Sequence, residues 1–304
     1  MGAQQREYKK RIRSAQGMKK IFKAQEMIAA ARISKAHARV LATTPYAEAI
    51  TQAIGAVAAR STDAQHPFLA ADRSRTGRVA ILLITAYRGM AGSYSPSAIR
   101  EAELLANHLR DAGKTPEMYV VGRKGDSYYR FRNRPPVKSW IGVKEDELGQ
   151  YGGEIARELS AKLLDEDPEV HVDELYVVGT RFINRFAQEP RVARLVPLEY
   201  ARPAQEERTE PFPLFEYSPD AYSVLEELIP RYIESRIVNI LMQSIASEHA
   251  ARQRAMKAAT DNADTQITKF TRLANSARQA EITQEISEIV GGANALAGSG
   301  RTER

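Results

Sequence analysis

Each end of this 304-residue chain carries a stretch that is too long and too poor in helix breakers to be an ordinary surface helix. From residue 3 to about residue 58 the only glycines are Gly17 and Gly55 and the only proline is Pro45. Ala, Lys, Arg, Gln, Glu and Met, all strong helix formers, dominate the rest. Ala15, Phe22, Ala29 and Ala36 recur every seven residues, and Met18, Ile21 and Ile28 thicken that stripe. Small alanines let a partner helix approach closely, which predicts a slender coiled coil. Pro45 is expected to bend or locally break the helix, because it lacks an amide donor and crowds the preceding turn.

The second stretch runs from about Asp220, after Pro219, to Val290, with Pro230 inside its early turns. Leu225, Leu228, Ile229, Tyr232, Ile233, Ile237, Ile240, Leu241, Ser244 and Ile245 follow helical spacing. Beyond Glu248 the stripe thins to Ala255, Met256, Ala259, Ile267, Phe270, Leu273 and Ala277, and Gly291-Gly292 reads as the stop. About 70 helical residues rise about 105 Å, and the N-terminal helix about 80 Å. Neither could bury its stripe alone. Both attach to the same middle segment, one by its C-terminal end and one by its N-terminal end, so they must pair antiparallel. With residue 58 beside residue 220, the N-terminus lies beside roughly residue 275 and about 30 residues overhang. The rich stripe then faces Val40, Leu41, Ile50, Ile54 and Val57, and the thin one faces the basic half of the first helix.

Between these stretches the period changes. Arg78–Thr85, Glu117–Val121 and Glu174–Val178 read as strands, Arg191–Leu198 as an edge strand closed by Pro197, and Ser97–Ala112 and Glu145–Leu164 as helices. Gly122-Arg123-Lys124-Gly125 opens a further helical turn. Strands alternating with helices predict a layered domain with a mainly parallel sheet. The expected fold is α/β plus a long antiparallel two-helix coiled coil. Its parts are a shaft helix over 1–60, a Rossmann-like α/β domain with linker over 61–215, a second shaft helix over 216–294, and a flexible tail over 295–304. Ala201–Pro219 reads as linker and Asp165–Asp173 as an acidic loop.

Charge narrows the partners. The chain carries +6, yet residues 1–40 hold eleven bases against Glu7 and Glu26, or +9, leaving –3 for the rest. Such asymmetry points to an electrostatic partner: nucleic acid, anionic lipid or an acidic protein surface. An organelle transit peptide is disfavoured, because the helix runs on past residue 50 with no Ser-rich stretch. The chain has no cysteine, so disulfides, thiolate metal sites and thiol switches are excluded. The longest aliphatic run, Val79–Ile84, is far short of the about 20 residues of a membrane span, and no signal-type stretch opens the chain. A soluble, cytosolic-side protein is expected.

Catalytic constellations are hard to find. Gly122-Arg-Lys-Gly125 and Arg88-Gly-Met-Ala-Gly92 follow strands as phosphate loops do, but neither completes a nucleotide-binding motif, so both read as structural turns. Gly291–Gly298 ends a helix and would offer carbonyls, not amides, to an anion. His37, His66, His108, His171 and His249 are scattered, and the acidic runs at 145–147 and 165–167 read as caps and solvated faces. No cofactor, metal or catalytic residue is expected.

Three long motifs then carry a resemblance. The runs ARQAEITQEISEIVGGANA (277–295), SEHAARQRAMKAATDNA (247–263) and IRSAQGMKKIFKAQEMIAAA (12–31), with Arg181-Phe-Ile-Asn184 between them, resemble the gamma-subunit family of F-type ATP synthases over essentially the whole chain. The family's middle loop, Ser-Asp-Arg-Gly-Leu-Cys-Gly-Gly, is here Ala86-Tyr-Arg-Gly-Met-Ala-Gly-Ser93. Arg88 and Gly89 match it. Tyr87 and Ala91 depart from it, so the roles of the replaced acid and thiol do not carry over. The regulatory cysteines of plastid members are absent, and the 165–173 turn is slightly long for the family. The resemblance implies a central rotor shaft coupling proton-driven rotation of the membrane c-ring to ATP synthesis or hydrolysis. Its partners would be the alpha and beta subunits of the catalytic hexamer, the epsilon subunit and the c-ring, at the cytoplasmic face of a bacterial membrane without bilayer insertion. By motif position, Arg278, Gln279, Thr283 and Glu285, with Arg252 lower down, would contact the catalytic subunits. Lys19, Lys20, Lys23, Arg32 and Lys35 would suit the acidic lever loop of those subunits. The competing reading is a basic coiled-coil nucleic-acid-binding protein. It is weakened by the lack of aromatics among the bases and of any nucleic-acid module.

Overall fold

A computed structural model describes residues 3–60, 75–142, 147–198 and 220–299. The linker expected at 201–219, Glu145, Asp146 and the last residues of the tail lie outside them. Helix α1 spans Ala3–Arg60 and helix α5 spans Ala221–Ser299. The chain divides into two compact units, Met1–Ile28 with Ala255–Arg304, and Ala29–Arg254.

The shielded face of α1 follows one alternation of three and four residues. In the first unit Gln5, Tyr8, Ile12, Ala15, Lys19, Phe22 and Glu26 are buried or half-buried. In the second, Ala29, Ile33, Ala36, Val40, Thr43, Ala47, Ile50, Ile54 and Val57 show the same spacing. That 3.5-residue period keeps one seam against a neighbouring helix. On α5, Met256, Thr260, Ala263, Ile267, Phe270, Ala274 and Ala277 repeat it in the first unit. The pairing is antiparallel there: Tyr8 stacks on Phe270 at 6.4 Å, and Lys19 pairs with Asp264 at 2.6 Å. In the second unit Ala36 and Val40 cluster with Met242 and Ala246, and Ile50, Ile54 and Val57 share a core with Leu225, Ile229 and Ile233. Leu41, expected in this seam, is 60% exposed, one position off the ladder. Asn239 donates its amide to the Thr43 and Thr44 hydroxyls at 3.2 and 3.0 Å within that apolar seam.

Pro45 does not break α1. It sits on the exposed face, where the carbonyl that loses its partner can be served by water. Thr43 and Thr44 donate their hydroxyls to the Val40 carbonyl in the turn before it. Asp220 caps α5, accepting from the Ser223 amide at 2.9 Å and hydroxyl at 2.8 Å. These bonds hold its carboxyl below the usual range. The cap is therefore fully made above that range and lost on acidification through the lowered value. Gly291-Gly292 does not stop the helix, which runs on to Ser299. Each of the two glycines costs the helix only about 1 kcal/mol against alanine, and the alanine-rich sequence beyond sustains it.

The middle of the chain forms a five-stranded sheet in the order β3-β2-β1-β4-β5, with β1 Arg78–Ile84, β2 Thr115–Val121, β3 Lys138–Trp140, β4 Glu174–Phe182 and β5 Gln188–Val196. All pairings are parallel except β4 with the edge strand β5. Helices α2 (Tyr94–Asp111), α3 (Arg123–Phe131) and α4 (Leu148–Leu164) complete the layers. Alternate residues of β1 point to opposite faces: Val79, Ile81 and Leu83 toward α2, Ala80, Leu82 and Ile84 toward α4 and α5. β1 pairs with β4 as far as Leu83–Val178. Beyond it the Thr180 amide donates to the Ser244 hydroxyl at 3.0 Å, and the Thr180 carbonyl accepts from Ser247 at 3.1 Å, so α5 takes over the ladder bonds. Gly179 allows this approach, since a Cβ there would lie 2.5 Å from Ile240 Cγ2 and 2.8 Å from the Ser244 hydroxyl.

Gly179→Ala should therefore destabilise the chain by about 1–3 kcal/mol through overpacking. Gly17→Ala, in open space on α1, should stabilise it by about 0.5–1 kcal/mol. Denaturant midpoints of the two variants, moving in opposite directions, check the packing assignment.

Candidate functional site

With the seam positions of α1 turned inward, its neighbouring positions turn out. Met18, Ile21 and Ile28 are 45%, 50% and 47% exposed. They do not thicken the seam, as their spacing suggested, but form a second stripe one residue off it, about 100° round the helix. On α5 Ile282, Ile286 and Ile289 are exposed with one-face spacing, and Val290 lies beside them. Large apolar side chains left uncovered at helical spacing mark a contact surface.

The expected contact residues fall into two groups. In the first unit Arg278, Gln279, Thr283, Glu285, Lys20 and Lys23 are exposed. The Thr283 hydroxyl donates to the Gln279 carbonyl at 2.9 Å. Lys23 pairs with Glu26 at 3.1 Å and Lys19 with Asp264. These groups lie along the helix surfaces and do not converge. In the second unit Arg32, Lys35 and Arg252 do converge, lining one cavity of about 670 Å³ at the carboxyl ends of β1 and β2.

Arg252 is buried and engaged within the chain. It pairs with Glu248 at 2.5 Å and donates to the carbonyls of Arg88 and Gly89 at 3.4 Å, holding the turn after β1. The rest of that turn is also pinned. The Ala86 amide donates to the Ser95 hydroxyl, and the Lys124 amide donates to the Ala86 carbonyl. The Thr85 hydroxyl donates to the Val121 carbonyl at 3.0 Å and accepts from the Gly125 amide at 2.9 Å. Gly122 has φ of 97°, and a Cβ on it would lie 2.1 Å from the Thr85 carbonyl oxygen. Both glycines of the 122–125 turn thus have packing reasons. Tyr87 accepts from the Arg123 guanidinium at 2.8 Å and lies under it at 4.6 Å, while Ala91 packs with Ala86, Tyr94 and Ala251. In the 165–173 loop Asp165 and Asp167 accept backbone amides, and Asp173 caps the amides of Arg75, Thr76 and Gly77.

Burial pushes the phenols of Tyr94, Tyr119 and Tyr129 far above their ordinary range, so they stay neutral. Among the described residues no three His, Asp or Glu side chains gather as metal ligands, and no helix is long and apolar enough to cross a membrane. Of the cavity's other cations, Arg88 stood out from sequence only as part of the middle loop, and Arg39 only as one of the eleven N-terminal bases. Only the i, i+3, i+7 spacing of Arg32, Lys35 and Arg39 hints at a shared face.

Residues 4–296 match the ATP synthase family profile. The ATP synthase gamma chain of Acidothermus cellulolyticus is 51% identical, with 99% of both chains covered, and that of a Nocardioides species is 50% identical, with 98% of both covered. The chain belongs to the ATP synthase gamma-chain family. Its fold is that of the corresponding chain in the OSCP/F1/c-ring assembly of Euglena gracilis mitochondrial ATP synthase, with a TM-score of 0.69 at 14% identity over 100% of this chain and 98% of that one. A rotor structure from the same organism gives 0.63 at 13% identity, covering 93% of this chain and 100% of that one. The nucleic-acid reading finds no support in these relationships.

The two kinds of basic residue should separate on substitution. Arg252→Met strands the Glu248 carboxylate and should cost about 3 kcal/mol, whereas Lys20→Ala, exposed and off the seam, should change stability by less than about 0.5 kcal/mol. Equilibrium unfolding of both variants measures the difference.

Proposed function

We infer that this chain is the central rotor shaft of a rotary ATP synthase, a subunit that transmits torque and carries no active site of its own. The observation behind the reading is that within each unit α1 and α5 pair on a narrow seam, with apolar and charged side chains left facing outward on both helices. A shaft turning inside a ring meets equivalent partners in succession. A broad hydrophobic interface would trap one orientation, whereas short apolar stripes and a few polar contacts let each orientation be left again. Coupling then comes from the different affinity of an asymmetric rod for each state of the ring.

On this reading Arg278, Gln279, Thr283 and Glu285, with the outward stripe of Ile282, Ile286 and Ile289, face the alpha and beta subunits. Lys20 and Lys23 face an acidic loop of the catalytic subunits. The sheet domain rests with the epsilon subunit on the c-ring, at the cytoplasmic face of the membrane. The segments over 1–60 and 216–294 form the shaft and 61–215 the foot. Arg252 serves the foot from within.

In a complex assembled around a chain lacking residues 276–304, ATP-driven proton pumping should fall at least about tenfold while the isolated chain keeps its unfolding midpoint. Ile282→Ser with Ile286→Ser should lower pumping per ATP hydrolysed without loss of assembly. Pumping at the parental level from the truncated complex would refute the assigned contacts.

A further inference from the structure

The shaft reading gives no role to the run Arg181-Phe-Ile-Asn184, which forms the end of β4 and the start of the hairpin turn into β5. Two of its side chains have structural tasks. Phe182 packs inward against Ala36, Val40, Met242 and Ala246, and its ring meets that of His37 at 5.3 Å. Asn184 builds the turn: its side-chain oxygen accepts the amides of Phe186 and Ala187, each at 2.8 Å, and its main-chain carbonyl accepts the Gln188 side-chain amide at 2.8 Å. Arg254 of α5 clamps the turn from the other side, donating to the Phe186 carbonyl at 2.5 Å and to the Gln188 side-chain oxygen. The turn is thus fixed in shape, yet it holds Ile183 53% and Phe186 79% exposed. Folding alone gives no reason to hold an aromatic ring in water. Arg185, exposed between them, and Arg191, exposed on β5, make no hydrogen bond or ion pair among the described residues. Arg181 stands opposite Glu189 across the ladder.

We propose that this hairpin tip is a docking knob for the catalytic ring, seated in an apolar cleft edged by carboxylates. The proposal rests on the rotor-shaft reading and adds a contact to it from the sheet domain. Aromatic side chains and arginine are the residues enriched at the centres of protein interfaces. A turn held by five side-chain hydrogen bonds loses little freedom on docking. The unanswered guanidinium of Arg185 calls for an acidic group on the facing surface. Direction selects the ring. Gly179 lies against Ile240, Thr180 bonds Ser244 and Ser247, and Phe186 bonds Arg254, so β4 runs along α5 toward that helix's C-terminal half. That half carries the residues assigned above to the ring. Two apolar side chains cover far less than a lasting interface buries, so the contact can be left again as the shaft turns.

Phe186→p-benzoylphenylalanine in the assembled complex tests this. Illumination should join the chain to an alpha or beta subunit. The same photoprobe at Phe131, 89% exposed at the end of α3, should not label the ring. The probe at Ile286 reports on the shaft reading by itself. Ring adducts from position 286 with none from 186 would overturn the hairpin contact and leave the shaft standing, whereas none from either would overturn both. Adducts of position 186 with the epsilon subunit, a c subunit or lipid alone, or equal ring labelling from position 131, would also overturn it. Arg185→Glu should cut the position-186 adduct yield more than Arg185→Gln does, and an undiminished yield with Arg185→Glu would refute the acidic partner. The Phe186→Ser/Arg185→Gln variant should lower ATP-driven proton pumping at least about threefold, with the unfolding midpoint of the isolated chain unchanged, since both side chains are exposed. Pumping at the parental level would overturn the proposal.

Discussion

The structure depends on a single geometric condition, that within each unit the shielded face of α1 keeps a 3.5-residue period, from Gln5 to Glu26 in the first and from Ala29 to Val57 in the second. A straight helix drifts about 20° per heptad from such a repeat, so a skip would carry the seam off its partner. Because the period is held, two narrow helices bury a stripe that neither could bury alone. Most positions in each heptad stay available for other surfaces. In the second unit α5 uses this freedom twice, burying one side against α1 and the opposite side against the sheet, which is why it is shielded almost all round from Ile229 to Arg252.

The same economy governs the polar groups. Where the β1 ladder ends, serines of α5 supply the missing partners of Thr180, and Gly179 clears the space for them. Arg252 does two jobs in one buried position, neutralising Glu248 and fixing the 88–89 carbonyls. Tyr87, where the family has an acid, is paired with Arg123 instead.

Much of this is legible in one dimension because breakers, period and charge are local properties. The two terminal helices, the parallel strands β1, β2 and β4 and the edge strand β5 all announce themselves by composition and alternation. What escapes is whatever depends on a neighbour. Met18, Ile21 and Ile28 look more like a seam than Lys19 and Glu26 do, yet the latter lie on it. A lysine stem covers apolar surface while its head reaches Asp264, something hydrophobicity alone does not record. β3 is three residues, Lys-Ser-Trp, too short to show a period and made a strand only by pairing with β2. Gly291-Gly292 carries a stop signal that the helix around it overrides. The basic cavity joins residues from 32 to 252, and no spacing in the chain foretells that meeting.

Asn239 gives the paired helices a mechanical property. Its amide finds Thr43 and Thr44 at one alignment of α5 against α1, in an otherwise greasy seam. Sliding by a heptad would leave that amide desolvated and unanswered, at a cost of about 1–3 kcal/mol, and would also draw Ser244 and Ser247 away from Thr180. The amide works as a key in a keyway: it singles out one register between the two helices and disfavours slip.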